Sequence, residues 1–315
     1  MNVDWITGAY NNKFLQLKVY TMCSKIKIFE PIYKESQVLS ESDFFPLVRK
    51  SNIRPEWREF QILIDIYRQK KYLENDFVGV FSPKFNLKCK IKASQFIDFV
   101  STNPDRDVYF INPFPQISYW SFNVWMQGEC AHPGLCSIAQ KLFDICNINV
   151  QIEDVPRHGP DILLYSNFWV GSPKFWESYV GGWLSPIAEF LENNPNHPVS
   201  CAVMEQTTHT DPAPFLPFII ERLFSTFLSF NKELDFISYE IEEDRIPLYC
   251  TTNYEKLLYE NMREQINKAD LKNKFSEPLI SKMKLLTVLC QQHCNDFFAI
   301  SAHPHSGKTI IGKIV

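Results

Sequence analysis

The chain has 315 residues, a net charge of −4, 45% apolar residues and 22% charged residues. That length suits one large domain or a domain with an appendage, and the balance suits a packed core rather than disorder. The charge gives no general electrostatic case for binding DNA or RNA, and no apolar run approaches the roughly 20 residues that span a bilayer.

Residues 14–23, FLQLKVYTMC, alternate and are β-rich, which predicts a first strand that residues 25–31 extend or follow. Residues 36–50 read as a loop with a short helix. Residues 55–72 open on a proline and place Trp57, Phe60, Ile64 and Tyr67 at helical spacing, which predicts a helix. Residues 76–81, DFVGVF, read as a short buried strand ending at Ser82-Pro83, and residues 93–101 as an amphipathic helix. The run Val108-Tyr109-Phe110-Ile111 reads as a buried parallel strand, central to the sheet, that stops at Asn112-Pro113. Helices are expected over 135–146, 173–191 (interrupted at Gly181-Gly182) and 214–230, and strands over 161–170 and 199–204.

Strands and helices therefore alternate from about residue 15 to 230, which predicts an α/β domain with a mainly parallel sheet. After Phe230 the composition changes. Residues 253–269 and 278–297 read as helices, giving a helical C-terminal extension over 236–315 beyond a domain of 1–235.

Aromatic residues are abundant, with 26 Phe, 13 Tyr and 7 Trp. Most belong to a core, and the same side chains stack on bases and sugar faces. Nine cysteines at irregular spacings, with no secretory signal at the N-terminus, point to reduced thiols in the cytoplasm. Cys290 and Cys294, with His293 between them, lack the second pair of a zinc finger, so no metal site is expected there.

Ligands of open α/β sheets sit outside the carboxyl ends of strands. The chemistry is therefore sought at residues 112–116 and 127–134. Gly-x-Gly-x-x-Gly after a strand and Gly-x-Ser-x-Gly are both absent, which disfavours a dinucleotide fold and an α/β-hydrolase. Ser306-Gly307-Lys308-Thr309 lies too close to the end of the sequence to open the helix a phosphate loop needs. The segment carrying Gln127, Glu129 and His132 reads as a loop before a helix whose N-terminus favours an anion. Glu221-Arg222 stands within the apolar run Phe218 to Phe224. A charge there is either turned to water, paired, or used as a general base. Glu205, His209 and Asp211 add a polar loop just upstream, and either carboxylate is a rival base.

The order of these pieces resembles bacterial GT-A type glycosyltransferases of capsule and lipopolysaccharide biosynthesis. The pieces are Trp57-Arg58-Glu59 on a helix, the strand DFVGVFSPKF over 76–85, DVYFINP over 107–113, SNFWVGSPKFW over 166–176, and Ile220-Glu221-Arg222-Leu223-Phe224 on a late helix. The resemblance covers roughly residues 15–230. It implies a single domain with a Rossmann-like nucleotide half and an acceptor half sharing one sheet. It also implies transfer of a sugar from a nucleotide sugar to a glycan or lipid-linked acceptor, in the cytoplasm or peripherally at the inner membrane face.

Glu221 then matches the place of the family's catalytic carboxylate, with Asp211 and Glu205 as further candidates. Arg58, Ser82, Lys84, Asn112, Gln127, Glu129, His132 and Arg222 are the candidate donor-binding residues. Where many such enzymes carry Asp-x-Asp for a divalent metal, this chain reads Asn112-Pro113-Phe114. The two-carboxylate clamp is missing. Either Lys and Arg side chains take the leaving-group charge without metal, or the domain is a non-catalytic nucleotide- or glycan-binding module. A helix-rich interaction protein is the third reading.

Overall fold

The computed structural model describes residues 25–49, 53–207 and 213–309. The expected strand over 14–23, together with His209 and Asp211, lies outside the described residues. The described part is a mixed α/β fold with a six-stranded, mainly parallel sheet and a helical C-terminal region.

Strand β1 (Ile26–Ile32) lies between β2 (Phe45–Val48) and β3 (Phe77–Val80), parallel to both. The segment expected to be a loop with a short helix therefore contains an edge strand. Next come β4 (Val108–Phe110) and β5 (Trp169–Gly171), with β5 inserted antiparallel between β3 and β4. A two-stranded ribbon, β6 (Gln206–Thr207) and β7 (Ala213–Pro214), stands apart. Strand β8 (Phe236–Ser238) adds to β4 in parallel and gives the order β2-β1-β3-β5-β4-β8. The run 108–111 is thus fifth in that order rather than central. It is parallel to β8 and antiparallel to β5.

Side chains alternate across a strand, so each strand feeds two layers. Val108 and Phe110 join the core that holds Val78, Val80 and Trp169, while Tyr109 and Ile111 join the core of Phe81, Phe96 and Val170. The second layer is closed by α2 (Phe85–Cys89) and α3 (Ala93–Thr102). The first is closed by α1 (Glu59–Arg68) and by later helices: α4 (Val124–Ala131), α5 (Leu135–Ile145), α6 (Pro173–Phe175), α7 (Ser185–Asn193), α8 (Pro198–Val203) and α9 (Phe215–Phe230).

Three expectations change here for local reasons. Residues 161–167 form a loop, and only Trp169–Gly171 pairs as strand. Residues 198–203 are helical, because Pro198 suits the first helical turn and the His197 ring nitrogen accepts the Val199 N–H. Gly181-Gly182 does not interrupt the helix between α6 and α7. That stretch, Trp176–Leu184, is π-helical and continuous with both.

The C-terminal helices are α10 (Asn253–Leu271) and α11 (Glu277–Ile300). With Tyr119 and Trp120 from the segment after β4, they form a separate apolar cluster around Tyr259, Met262 and Met283. No described helix is long and apolar enough to cross a membrane.

His158 fastens α4 to α9. Its Nδ1 accepts the Val124 N–H at 3.4 Å, and its Nε2 lies 2.9 Å from Ser229 Oγ, whose own hydroxyl donates to Ser225 O. The ring is therefore neutral with the proton on Nε2. Burial, with Arg157 adding repulsion, pushes its pKa down to about 3 from 6.5. Between those values the unfolded chain binds this proton and the folded chain does not. Stability is retained above about pH 6.5 and falls as the pH drops towards 3, by up to about 1.4 kcal/mol per pH unit for one such group. His305, also pushed down to about 3 by burial, adds to the same trend. Replacing His158→Asn should remove its share of the slope in urea midpoints measured from pH 7 to pH 4; an unchanged slope contradicts the buried neutral ring.

Candidate functional site

The parallel strands β3 and β4 end at one rim of the sheet. The antiparallel β5 begins at that rim, so residues 165–168 reach it as well. A cleft of about 360 Å³ opens there. Its floor and sides come from Ser82, Lys84 and Lys88 after β3, Phe114, Gln116, Ile117 and Trp120 after β4, and Tyr165-Ser166-Asn167 before β5. Arg58 and Glu59 enter from the start of α1, Gln127 and His132 from α4, and Glu221 and Arg222 from α9. The remaining wall is C-terminal, with Glu255, Cys290, Cys294, His303 and His305.

Arg222 is 2% exposed and organises this floor. Its Nε donates to Val124 O at 3.0 Å, Nη1 to Phe218 O at 2.7 Å, and Nη2 to Gln127 Oε1. The planar fork satisfies carbonyl groups on two helices at once. The guanidinium passes over Gly128 so closely that a Cβ there would lie 2.2 Å from Nε. A glycine inside α4, unfavourable for helix formation, is what admits the side chain.

Glu221, one residue earlier on the helix, points into the cleft. Its Oε1 accepts the Ser166 N–H at 2.6 Å, and Oε2 lies 3.8 Å from Arg222 Nη1. Ser166 Oγ in turn accepts from Lys88 Nζ at 2.8 Å. The Lys88 ammonium also lies 5.6 Å from the Phe114 ring centre. Burial holds its pKa below the ordinary value, against the opposing pull of Glu221 and Glu59. A cation and a carboxylate are thus joined through one residue at the mouth of the sheet.

Two further observations mark the cleft. Arg58, Ser166 and Asn167 have positive φ, at 49°, 66° and 53°, a conformation that costs energy for residues other than glycine and gathers at ligand sites. Gln116 Oε1, Tyr165 Oη and Asn167 Oδ1 are buried without hydrogen-bond partners, and all three residues line the cleft. Buried polar atoms are nearly always paired, so three unpaired ones on residues of one cleft set it apart.

Of the residues singled out in the sequence, Glu221, Arg58, Ser82, Lys84, Gln127, His132 and Arg222 meet in this cleft. Asn112 is buried beside it, and its Oδ1 accepts the Phe114 N–H at 3.1 Å. Glu129 faces away and caps α5, accepting from Gly134 N at 2.8 Å and Cys136 N at 2.9 Å. The helix end expected to attract an anion is therefore occupied by the chain's own carboxylate, and Gln127–Ala131 is helix rather than loop. His132 stacks on Phe218 with ring centres 3.8 Å apart and meets Thr207 Oγ1 at 3.0 Å. Glu205 is exposed on the β6 side and does not line the cleft.

No family model and no curated protein matches the chain. Among solved structures, it superposes on the apo form of the WbbM bifunctional glycosyltransferase with a TM-score of 0.41 and 14% identity. The match covers 69% of this chain and 45% of that one, so it spans less than half of WbbM.

Lys88 and Tyr165 are site features that the sequence did not single out. Gln116 lies in the stretch 112–116 where chemistry was sought, and Glu59, Ser166 and Asn167 lie in the quoted motifs, none of them with a role of its own. The Ser-Asn pair after an apolar run is the local signal for the Tyr165-Ser166-Asn167 corner, since both residues favour turns and asparagine tolerates a left-handed backbone.

Removing the guanidinium should unfasten this floor. Arg222→Ala removes the charged hydrogen bonds to Val124 O, Phe218 O and Gln127 Oε1 and should cost on the order of 3–5 kcal/mol in chemical denaturation, with Arg222→Lys recovering only part. A loss below about 1 kcal/mol contradicts its role as the tie between α4 and α9.

Proposed function

We propose that this chain is a glycosyltransferase that moves a sugar from a nucleotide-sugar donor to a glycan or lipid-linked acceptor of a cell-surface polysaccharide or lipooligosaccharide. The observation that carries the proposal is the Lys88–Ser166–Glu221 connection inside a cleft at the strand ends. It places a cation suited to a diphosphate next to a carboxylate suited to a hydroxyl proton. The unpaired Gln116, Tyr165 and Asn167 atoms suit the hydroxyl-rich sugar between them.

In this reaction the acceptor oxygen attacks the anomeric carbon and the bond from that carbon to the diphosphate oxygen breaks. Glu221 takes the acceptor's proton, and the departing nucleoside diphosphate carries the bonding electron pair away. Lys88, Lys84 and Arg58 stabilise that charge without a two-carboxylate metal clamp. Ser82, Gln127 and His132 contact the donor, and Asn112, Glu129 and Arg222 hold the segments that do so. Glu59, the other carboxylate acting on Lys88, is an alternative base, ahead of Glu205, and Asp211 is a further candidate. We place the reaction in the cytoplasm, at the inner membrane face when the acceptor is lipid-linked. The Asn112-Pro113-Phe114 sequence supports a second reading, a nucleotide- or glycan-binding module without turnover.

A thermal-shift panel of UDP, GDP and CMP sugars tests donor binding. A ligand at a hundredfold excess over its dissociation constant should add about 2.7 kcal/mol of stability. The bound donor should then be hydrolysed slowly without added magnesium or manganese, and Glu221→Gln should slow turnover about 10²–10⁴-fold while donor binding persists. Binding without hydrolysis selects a nucleotide-binding module, and no binding across the panel contradicts the transferase and leaves only a glycan-binding module.

A further inference from the structure

The C-terminal wall of the cleft carries a cluster that the proposed reaction does not use. Cys290 and Cys294 lie one turn apart on α11, so both side chains leave the same helix face. Glu255 stands in the first turn of α10. Cys290 and Glu255 are buried, Cys294 is half-buried, and all three line the cleft. Their sulfur atoms and a carboxylate oxygen lie within 4.8 Å of one another.

The two oxygens of Glu255 are used unequally. Oε2 accepts from Thr251 N–H, from Thr251 Oγ1 at 2.6 Å and from the Thr252 N–H at 3.0 Å, closing the capping box of α10. Oε1 takes no hydrogen bond and Glu255 forms no ion pair among the described residues. A buried carboxylate with one oxygen outside the capping box, set against two thiols and reachable from the cleft, offers a ligand position.

We propose that a carboxylate oxygen of Glu255, Cys290 Sγ and Cys294 Sγ bind a zinc ion whose fourth position opens to the cleft. The donor set of two sulfurs and one carboxylate oxygen suits a borderline-soft divalent ion, and three protein ligands with one open position is the pattern of zinc sites that also hold water or substrate. Zinc–sulfur and zinc–oxygen bonds of about 2.3 and 2.1 Å place tetrahedral donors about 3.5–4 Å apart, a small contraction of the present cluster. Binding releases the two thiol protons to solvent, leaving two thiolates and a carboxylate on the metal. The ion would also fasten the start of α10 to α11. The assignment is independent of glycosyl transfer and stands or falls on metal binding alone.

Cobalt(II) added to the reduced full-length protein is the probe. One equivalent should bind with a thiolate-to-cobalt charge-transfer band, and zinc should displace it. The Cys290→Ser/Cys294→Ser double variant should lose the band. Glu255→Gln should weaken binding by about tenfold or more, in the range seen when zinc-site partners are removed, while keeping the capping box, which glutamine also closes. Circular dichroism confirms that the variants stay folded. The proposal is overturned if saturating cobalt gives no thiolate band, if the band survives in the double variant, or if Glu255→Gln binds as tightly as the parent.

Discussion

The buried guanidinium of Arg222 is the constraint on which the cleft depends. It sits where the apolar helix α9 crosses α4, and it answers carbonyl groups on both helices together with the amide oxygen of Gln127. A charge that deep is tolerated because its donors are met, and they are met only because Gly128 leaves room. Neighbouring helical residues are about 100° apart around the axis. Fixing Arg222 inward therefore fixes Glu221 outward, towards Ser166 and the cleft.

The second organising feature is the reversed strand β5. A parallel strand at that place would bring its carboxyl end to the rim. The antiparallel one brings its beginning, and with it the left-handed Ser166 and Asn167 and the unpaired Tyr165 hydroxyl. Three segments distant in sequence, after β3, after β4 and before β5, thus converge on one edge. The C-terminal helices close the space by packing on Tyr119 and Trp120. Thr287 Oγ1 donates to Trp120 O at 2.7 Å across this contact.

Much of this layout was legible in the chain. The short apolar runs 76–81 and 108–111, the two late helices and a helix within residues 55–72 follow from patterning, although Arg58, at φ 49°, separates the turn Pro55–Trp57 from α1 (Glu59–Arg68). The charged pair in the run Phe218 to Phe224 lies on the helix that lines the cleft. What could not be read was pairing direction. Val108-Tyr109-Phe110-Ile111 is buried on both faces whichever way its neighbours run, so its composition suggested parallel partners on both sides. The antiparallel β5 is a tertiary outcome with no local signature. The same limit hid Lys88, whose importance arises from meeting Ser166, distant in sequence. The role of Glu129 was missed for a local reason: it sits on α4, and its carboxylate caps the next helix, α5.

The proposed reaction puts the donor's diphosphate on Lys88 at the strand ends and its sugar between Lys88 and Glu221. Hydrogen exchange with and without a saturating nucleoside diphosphate tests it directly. Residues 82–90 and 162–168 should gain protection together, since the ligand would bridge the segments after β3 and before β5. Protection confined to other parts of the chain, or none at saturating ligand, would contradict the account.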